Sequence, residues 1–310
     1  MAHPPFACAP FFRPYRRATP AFQLGLQAIR PSEWLLLDRD YEVLMRDKRA
    51  QFASAPDRFY KTLAGSLPAQ RELHAMVVSH LVTEHAAVFS LNHGTLTCGT
   101  DRCSWNLTDA SVEPLWQLSD FVQEDFMLLE DVDSRLTITA ASNAYSSSGR
   151  LVKSVGRDVH WAHEPVPTLT SRLGSRIDRI LASVHDDAPC ARYNWQLTPL
   201  RSVFFPSDPH AANQSALNAV STQLREDPSL VPSLLYLRVE RQTLRRLPET
   251  RAIAFSIHTY SDPLSSLIPD AVSRTALREL LASYPQERLE YNEMDGIHGP
   301  VIAWLDSLAD

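Results

Sequence analysis

The chain has 310 residues, 44% of them hydrophobic and 21% charged, the make-up of a globular protein with a sizeable core. A formal charge of −6 argues against a nucleic-acid or anionic-membrane footprint. No uncharged apolar run approaches the roughly 18 residues of a membrane-spanning helix, so neither nucleic acid nor membrane is an expected partner.

In chain order, the first stretch is "MAHPPFACAPFFRPYRRATP". Pro4, Pro5 and Pro10 interrupt any continuous apolar segment, which argues against a secretory signal. Residues 1–30 read as a proline-rich extension that wraps over a body. "PSEWLLLDRDYEVLMRDKRAQFAS" predicts a helix with Ser32 as N-cap and Leu36, Tyr41, Leu44 and Met45 as its periodic apolar positions. Leu67 to Phe89 predicts a second, stronger helix. Asp120 to Leu129 and "LTITAASNAYS" predict two strands joined by the acidic turn "EDVDSR". "TSRLGSRIDRILASV" predicts a helix, "RSVFFP" a short strand and "LNAVSTQL" another helix. Two strands follow within Leu235–Tyr260. The C-terminal "SRTALRELLASYPQERLEYN" and "GPVIAWLDSL" are helical, with Leu277, Leu280, Leu281 and Tyr284 forming an apolar stripe. Helices flanking hairpin-linked strands imply an α+β fold with an antiparallel sheet.

Four cysteines are few for this length. Cys98 and Cys103 bracket "GTDR", but no further pair stands at the spacing of a zinc ribbon or an iron–sulfur cluster. The chain is therefore expected to carry no cluster of its own, and reducing, cytoplasmic conditions fit best. The sequence contains no G-x-G-x-x-G, Walker A, G-x-S-x-G or H-E-x-x-H pattern. On Leu67–Phe89, His74 and His85 stand roughly 16 Å apart along a helix, too far to share a metal, and His80 with Glu84 gives at most two ligands.

"VHWAHEPVPTL" (Val159 to Leu169) carries two histidines before a pair of prolines. Pro165 and Pro167 restrict Glu164 and Val166, so the segment is expected to be extended. His160 and His163 would then point to opposite faces, and one of them would enter a pocket. A proline-braced histidine suits a fixed axial ligand; the alternative is a histidine bonded to a neighbouring carbonyl. In "ARYNWQL", Trp195 reads as core and Arg192 as a surface ion pair or an anion ligand. In "LYLRVERQTLRRLPETRAIAFSIHTY", period-two alternation puts Tyr236, Arg238, Glu240 and Gln242 on one face of a strand. A cation, an anion and an amide in a row belong either to a solvated face with cross-strand ion pairs or to the border of a polar pocket.

From Trp34 to Leu264, the segments "EWLLLDRDY", "VQEDFMLL", "HEPVP", "RYNW", "LRVERQTLRRLP" and "FSIHTYSDPL" resemble, in order, the heme-dependent oxidative N-demethylases. That family includes the α-subunit-like proteins of dimethylamine monooxygenase. "LRVERQTLRRLP" is its most specific element. The resemblance implies a PAS-like curved antiparallel sheet with flanking helices that holds heme b. It implies oxidation of a small secondary amine with O₂, releasing an aldehyde and the demethylated amine. Electrons would come from a separate flavin and iron–sulfur reductase. A heme needs an apolar slot, an axial nitrogen and cations for its propionates. His163, which matches the histidine before the family's P-V-P, is the implied iron ligand. Arg192, Arg238, Arg241 and Arg246 are candidates for propionate or structural pairing, since guanidinium binds carboxylates bidentately. Glu240 would pair with an arginine or hold the cationic amine.

Two departures bear on this. The family writes I-H-x-P-V-P, whereas "VHWAHEPVP" has a second histidine, which leaves His160 as the other candidate ligand. "SNAYSSSGRLVKSVG" lacks the family's aromatic-proline spelling, which bears on the substrate. The implied organisation is an extension over 1–30, a heme-binding PAS-like domain over 31–265 and C-terminal helices over 266–310. The alternatives to an enzyme are a heme-binding sensor or carrier without turnover and a heme-free scaffold retained for interaction.

Overall fold

The computed structural model describes residues 13–16, 25–145, 151–163, 174–204 and 209–308. Helices and antiparallel strands are mixed along the chain, an α+β fold as expected. One sheet has seven strands in the order β1-β8-β9-β10-β6-β7-β2. These are β1 (Gln27–Ala28), β2 (Tyr60–Thr62), β6 (Asp125–Val132), β7 (Arg135–Ser142), β8 (Cys190–Thr198), β9 (Tyr236–Arg246) and β10 (Ile253–Pro263). A second sheet has three: β3 (Phe89–Asn92), β4 (Thr95–Cys98) and β5 (Ser104–Asn106).

The described residues fall into two compact units. The first holds 26–145, 151–163, 174–191 and 242–258; the second holds 13–16, 25, 192–204, 209–241 and 259–308.

In the first unit, helices α1 (Tyr41–Ser54), α2 (Pro56–Phe59), α3 (Leu67–Glu84) and α4 (Pro114–Leu118) accompany the sheets. The core joins Trp34, Tyr41 and Met45 to Leu73, Val77 and Leu81 of α3 and to Phe126, Leu128, Ala140 and Ala254 of the large sheet. Two tight turns set the hairpins. His93 and Gly94, both at positive φ (47° and 78°), link β3 to β4. Asp133 and Ser134, at 50° and 63°, link β6 to β7, which is the expected acidic turn. A type I′ loop, whose twist matches that of the strands, needs positive φ at both positions, and β6–β7 achieves this without glycine. Between Leu128 and Leu129 the β6–β7 register slips past Thr139, a bulge that increases local twist.

In the second unit, helices α7 (Pro209–Glu226), α8 (Val231–Leu234), α9 (Ala271–Ala282), α10 (Gln286–Tyr291) and α11 (His298–Ser307) supply the core. Leu277 and Leu281 are fully buried with Val301 and Trp304. Near the N-terminus, Tyr15 is buried edge-on against Trp195 at 5.5 Å, and Arg13 stands 3.7 Å from Asp262.

Three expectations need correction. The helix assigned from Ser32 begins at Tyr41, because the preceding backbone is held by distant side chains: Leu36 N–H donates to Glu124 (3.1 Å) and Asp38 N–H to Gln123 (3.2 Å). The strand expected from Asp120 starts at Asp125. The carbonyls of Val122, Gln123 and Glu124 instead accept from the Lys48 ammonium at 3.2, 3.3 and 2.8 Å. "RSVFFP" forms no strand over residues 201–204. The Ser202 hydroxyl takes the Phe204 N–H (3.1 Å), a local bond that competes with a ladder. The strand lies earlier, in β8.

Candidate functional site

β9 is one unbroken strand, so its side chains alternate as the spacing requires. Arg238 and Glu240 share a face with Tyr236 and Gln242. They are 1% and 5% exposed, which rules out a solvated face. Arg241 is just as buried, at 2%, but alternation puts it on the opposite face with Thr243. That opposite face is defined by a 2.6 Å bond between the hydroxyls of Thr243 and Ser256 and by Arg245, which lies over the Trp34 ring at 4.6 Å. Arg238 donates to the Val203 carbonyl at 3.2 Å. Arg192 sits partly buried in β8. The four arginines are thus not equivalent.

Arg246 is the clearest structural case. Its Nε donates to the Val184 carbonyl (2.8 Å), Nη1 to Arg251 (2.9 Å) and Nη2 to Leu181 (2.6 Å). Leu181 belongs to the last turn of helix α6 (Gly174–Ala182), whose final carbonyls have no partner within the helix. The guanidinium caps that end, so structural pairing accounts for its donors.

The segment around the two histidines is not extended where it is described. Val159–His163 form a short helix, α5. The reason is Asp158, whose carboxylate accepts from the backbone N–H groups of His160 (2.9 Å) and Trp161 (3.1 Å) as an N-cap does. Pro165 restrains the residue before it and leaves residues 159–163 free to coil. On a helical turn, positions 160 and 163 lie on one side rather than opposite faces. His160 Nε2 stands 2.9 Å from Asp178 of α6, both largely exposed. The side chain of His163, with residues 164–173, lies outside the described residues. The base of α5 is tied to β7: Ile138 N–H donates to the Arg157 carbonyl, and Asp158 bridges Thr137.

A second polar constellation, unforeseen as a group, lies buried in the first unit. His258 on β10 is 1% exposed, with Nδ1 3.1 Å from Glu124 and Nε2 3.1 Å from Asp38. Gln123 donates to Asp38 at 2.8 Å. Burial alone would lower the imidazole's pKa, but Glu124 and Asp38 outweigh it and lift it to about 9. Against the same burial penalty, His258 holds both carboxyls below their ordinary range. Next to this group, Lys48 on α1 stands 3.3 Å from Asp125, both wholly buried. Asp125 also accepts from Ala144 N–H, Tyr145 N–H and Asn143 at 2.9, 2.7 and 3.0 Å. Asp38, Gln123–Glu124–Asp125 and His258 come from "EWLLLDRDY", "VQEDFMLL" and "FSIHTYSDPL". A carboxylate, an amide or an imidazole inside an apolar run was the available signal.

This constellation does not suit iron. Both nitrogens of His258 face carboxylates, and its imidazole is protonated at neutral pH. Three other histidines of the unit are also engaged: His74 with Gln117 (2.8 Å), and the buried His80 and half-buried His85 both with the Leu35 carbonyl. Among the described residues, no group of three or more His, Cys, Asp or Glu side chains is arranged to hold a metal ion, nor is any helix long and apolar enough to cross a membrane.

The chemistry of the described donor set fits a heme's needs in two respects. β10 and β6 align Ile253 with Leu129 and Phe255 with Met127, an apolar sheet face with Phe255 partly open. β9 keeps a guanidinium and a carboxylate, Arg238 and Glu240, out of water on one face.

A family described as "Haem-dependent oxidative N-demethylase, alpha subunit-like" aligns with residues 25–302, most of the chain.

Proposed function

The chain belongs to the haem-dependent oxidative N-demethylase, alpha subunit-like family, and from that premise we propose that it removes a methyl group from a small secondary amine. The family is one of heme-dependent oxidoreductases. The finer reading is our own: heme b as cofactor, O₂ as co-substrate, and electrons from a separate flavin and iron–sulfur reductase. The balance is one amine N-methyl group, O₂, two electrons and two protons going to the demethylated amine, formaldehyde and water. In this reading the sheet is PAS-like, residues 31–265 form the heme-binding domain, 1–30 an extension and 266–310 its packed C-terminal helices. The protein acts in the cytoplasm.

When bound, the heme supplies the redox-active iron; the protein supplies position and charge. His163 would hold the iron, and the Asp158 cap fixes the turn that carries it. Arg238 and Arg192 would pair with the heme's propionates. Arg241 and Arg246 drop back to structural roles, Arg241 because it faces the other side of β9 and Arg246 because carbonyls use its donors. Glu240, kept from water, would hold the ammonium form of the amine. Within the first unit, Met127, Leu129, Ile253 and Phe255 form an apolar sheet face that excludes water.

The observation that carries this reading is the family match over 25–302, and burial of the Arg238–Glu240 face supports it. Protein reconstituted with hemin should show a Soret band that His163→Ala abolishes or shifts and His160→Ala preserves. Identical spectra for wild type and His163→Ala would discard the ligand. With dithionite or a reductase, O₂ and dimethylamine, formaldehyde should form. A heme spectrum without turnover across secondary and tertiary amines would point to a sensor or carrier.

A further inference from the structure

In the three-stranded sheet, Leu96 pairs with Trp105 and Thr97 with Ser104. Cys98 and Cys103 are therefore the next cross-strand pair, and Cys98 N–H donates to the Cys103 carbonyl at 2.9 Å. Directly opposed residues of an antiparallel pair share a face with Cα atoms about 5.5 Å apart, inside the roughly 4.4–6.8 Å that a disulfide spans. Both thiols are free. Cys98 is fully buried in the core cluster, whereas Cys103 is partly exposed.

Arg49 of α1 lies over the same spot. Its Nη1 is 3.5 Å from Cys103 Sγ, Nη2 is 2.5 Å from Asp101 and Nε donates to the Asp120 carbonyl at 2.7 Å. Its guanidinium sits 5.3 Å from the Trp105 ring centroid. Asp101 shapes the turn by accepting from Cys103 N–H at 3.1 Å.

We propose that Cys98 and Cys103 form a dithiol modification site that closes to an intrachain disulfide by exchange with a small-molecule disulfide. Cys103, the accessible sulfur, loses its proton and attacks one sulfur of the reagent, expelling one small thiolate and leaving a mixed disulfide. The Cys98 thiolate then attacks Cys103 Sγ and expels the second. Two protein thiols and one small disulfide become one protein disulfide and two small thiols, and the reagent takes both electrons. Burial pushes both thiols up; Arg49 opposes this at Cys103. Fewer thiolates at neutral pH make the exchange slow, and the accessible Cys103 is the sulfur that starts it. The closed loop is short, so the bridge removes little chain entropy. Its effect is local, on the Arg49 contacts that tie α1 to this hairpin.

The test treats the full chain with oxidised glutathione, alkylates it after denaturation and digests it with trypsin without reductant. Trypsin cuts after Arg102, so the bridge appears as two peptides held together, free of glutathione, that reductant separates. Wild-type protein alone decides the matter: alkylation of both cysteines, or glutathione persisting on Cys103, overturns the proposal. Cys98→Ser should trap glutathione on Cys103, and Cys103→Ser should leave Cys98 free. None of these readouts depends on heme.

Discussion

His258, Asp38 and Glu124 show how much a buried side chain owes to partners distant in sequence. One imidazolium between two carboxylates is tolerable in a core because each ring nitrogen has an acceptor and each carboxylate other donors besides. His258→Ala would strand two buried negative charges, and we expect a loss of about 3–5 kcal/mol in urea unfolding. The pH dependence has a definite sign. The folded pKa, about 9, lies above the ordinary 6.5. The contribution of His258 is therefore whole below about pH 6.5 and lost as pH rises through 9, on the order of 3 kcal/mol in total. The difference in stability between wild type and the alanine variant should shrink across that window. Each of these residues was visible inside an apolar run, but period and spacing carry no information about which distant charge will face it.

At the level of elements, caps and turns outweigh propensity. Asp158 turns a stretch that runs into two prolines into α5, so Asp158→Ala should cost about 1 kcal/mol. If His163 is the axial ligand, the same change should also weaken heme binding in a hemin titration, while His160→Ala should not. The β6–β7 turn holds Ser134 at φ 63°, where a side chain is strained and glycine is not. Ser134→Gly should raise the thermal midpoint, by an amount equivalent to about 1 kcal/mol. Gly94→Ala in the β3–β4 turn should do the reverse, since its Cβ would come within 2.8 Å of Thr108. Hairpins and most helices were legible from alternation, turn residues and apolar stripes. Where the reading failed, at Ser32, Asp120 and "RSVFFP", a backbone group had been claimed by a side chain, near or distant, that local pattern does not register.

For the molecule as a whole, ligand linkage gives the broadest test. A cofactor that binds the folded chain alone stabilises it by RT ln(1 + [L]/Kd), about 2.7 kcal/mol at a hundredfold excess over Kd. Hemin should therefore raise the thermal midpoint of wild type in a concentration-dependent way, and of His163→Ala far less. Turnover should require an added electron donor, because the sequence carries no flavin-binding or cluster pattern. Formaldehyde from chain, heme, amine and O₂ without reductant would contradict that.

Amino-acid order by itself determined the α+β class, the β6–β7 and β9–β10 strand pairs, the long helices and, through six spelled-out segments, the family. These follow from periodicity and local chemistry, which act over a few residues. Tertiary structure decided that the β9 charges are buried rather than solvated and that Arg246 closes a helix end. It also brought Asp38, Glu124 and His258 together across 220 positions of chain. Burial and pairing are properties of a neighbourhood in space, and a neighbourhood exists only once the chain has folded.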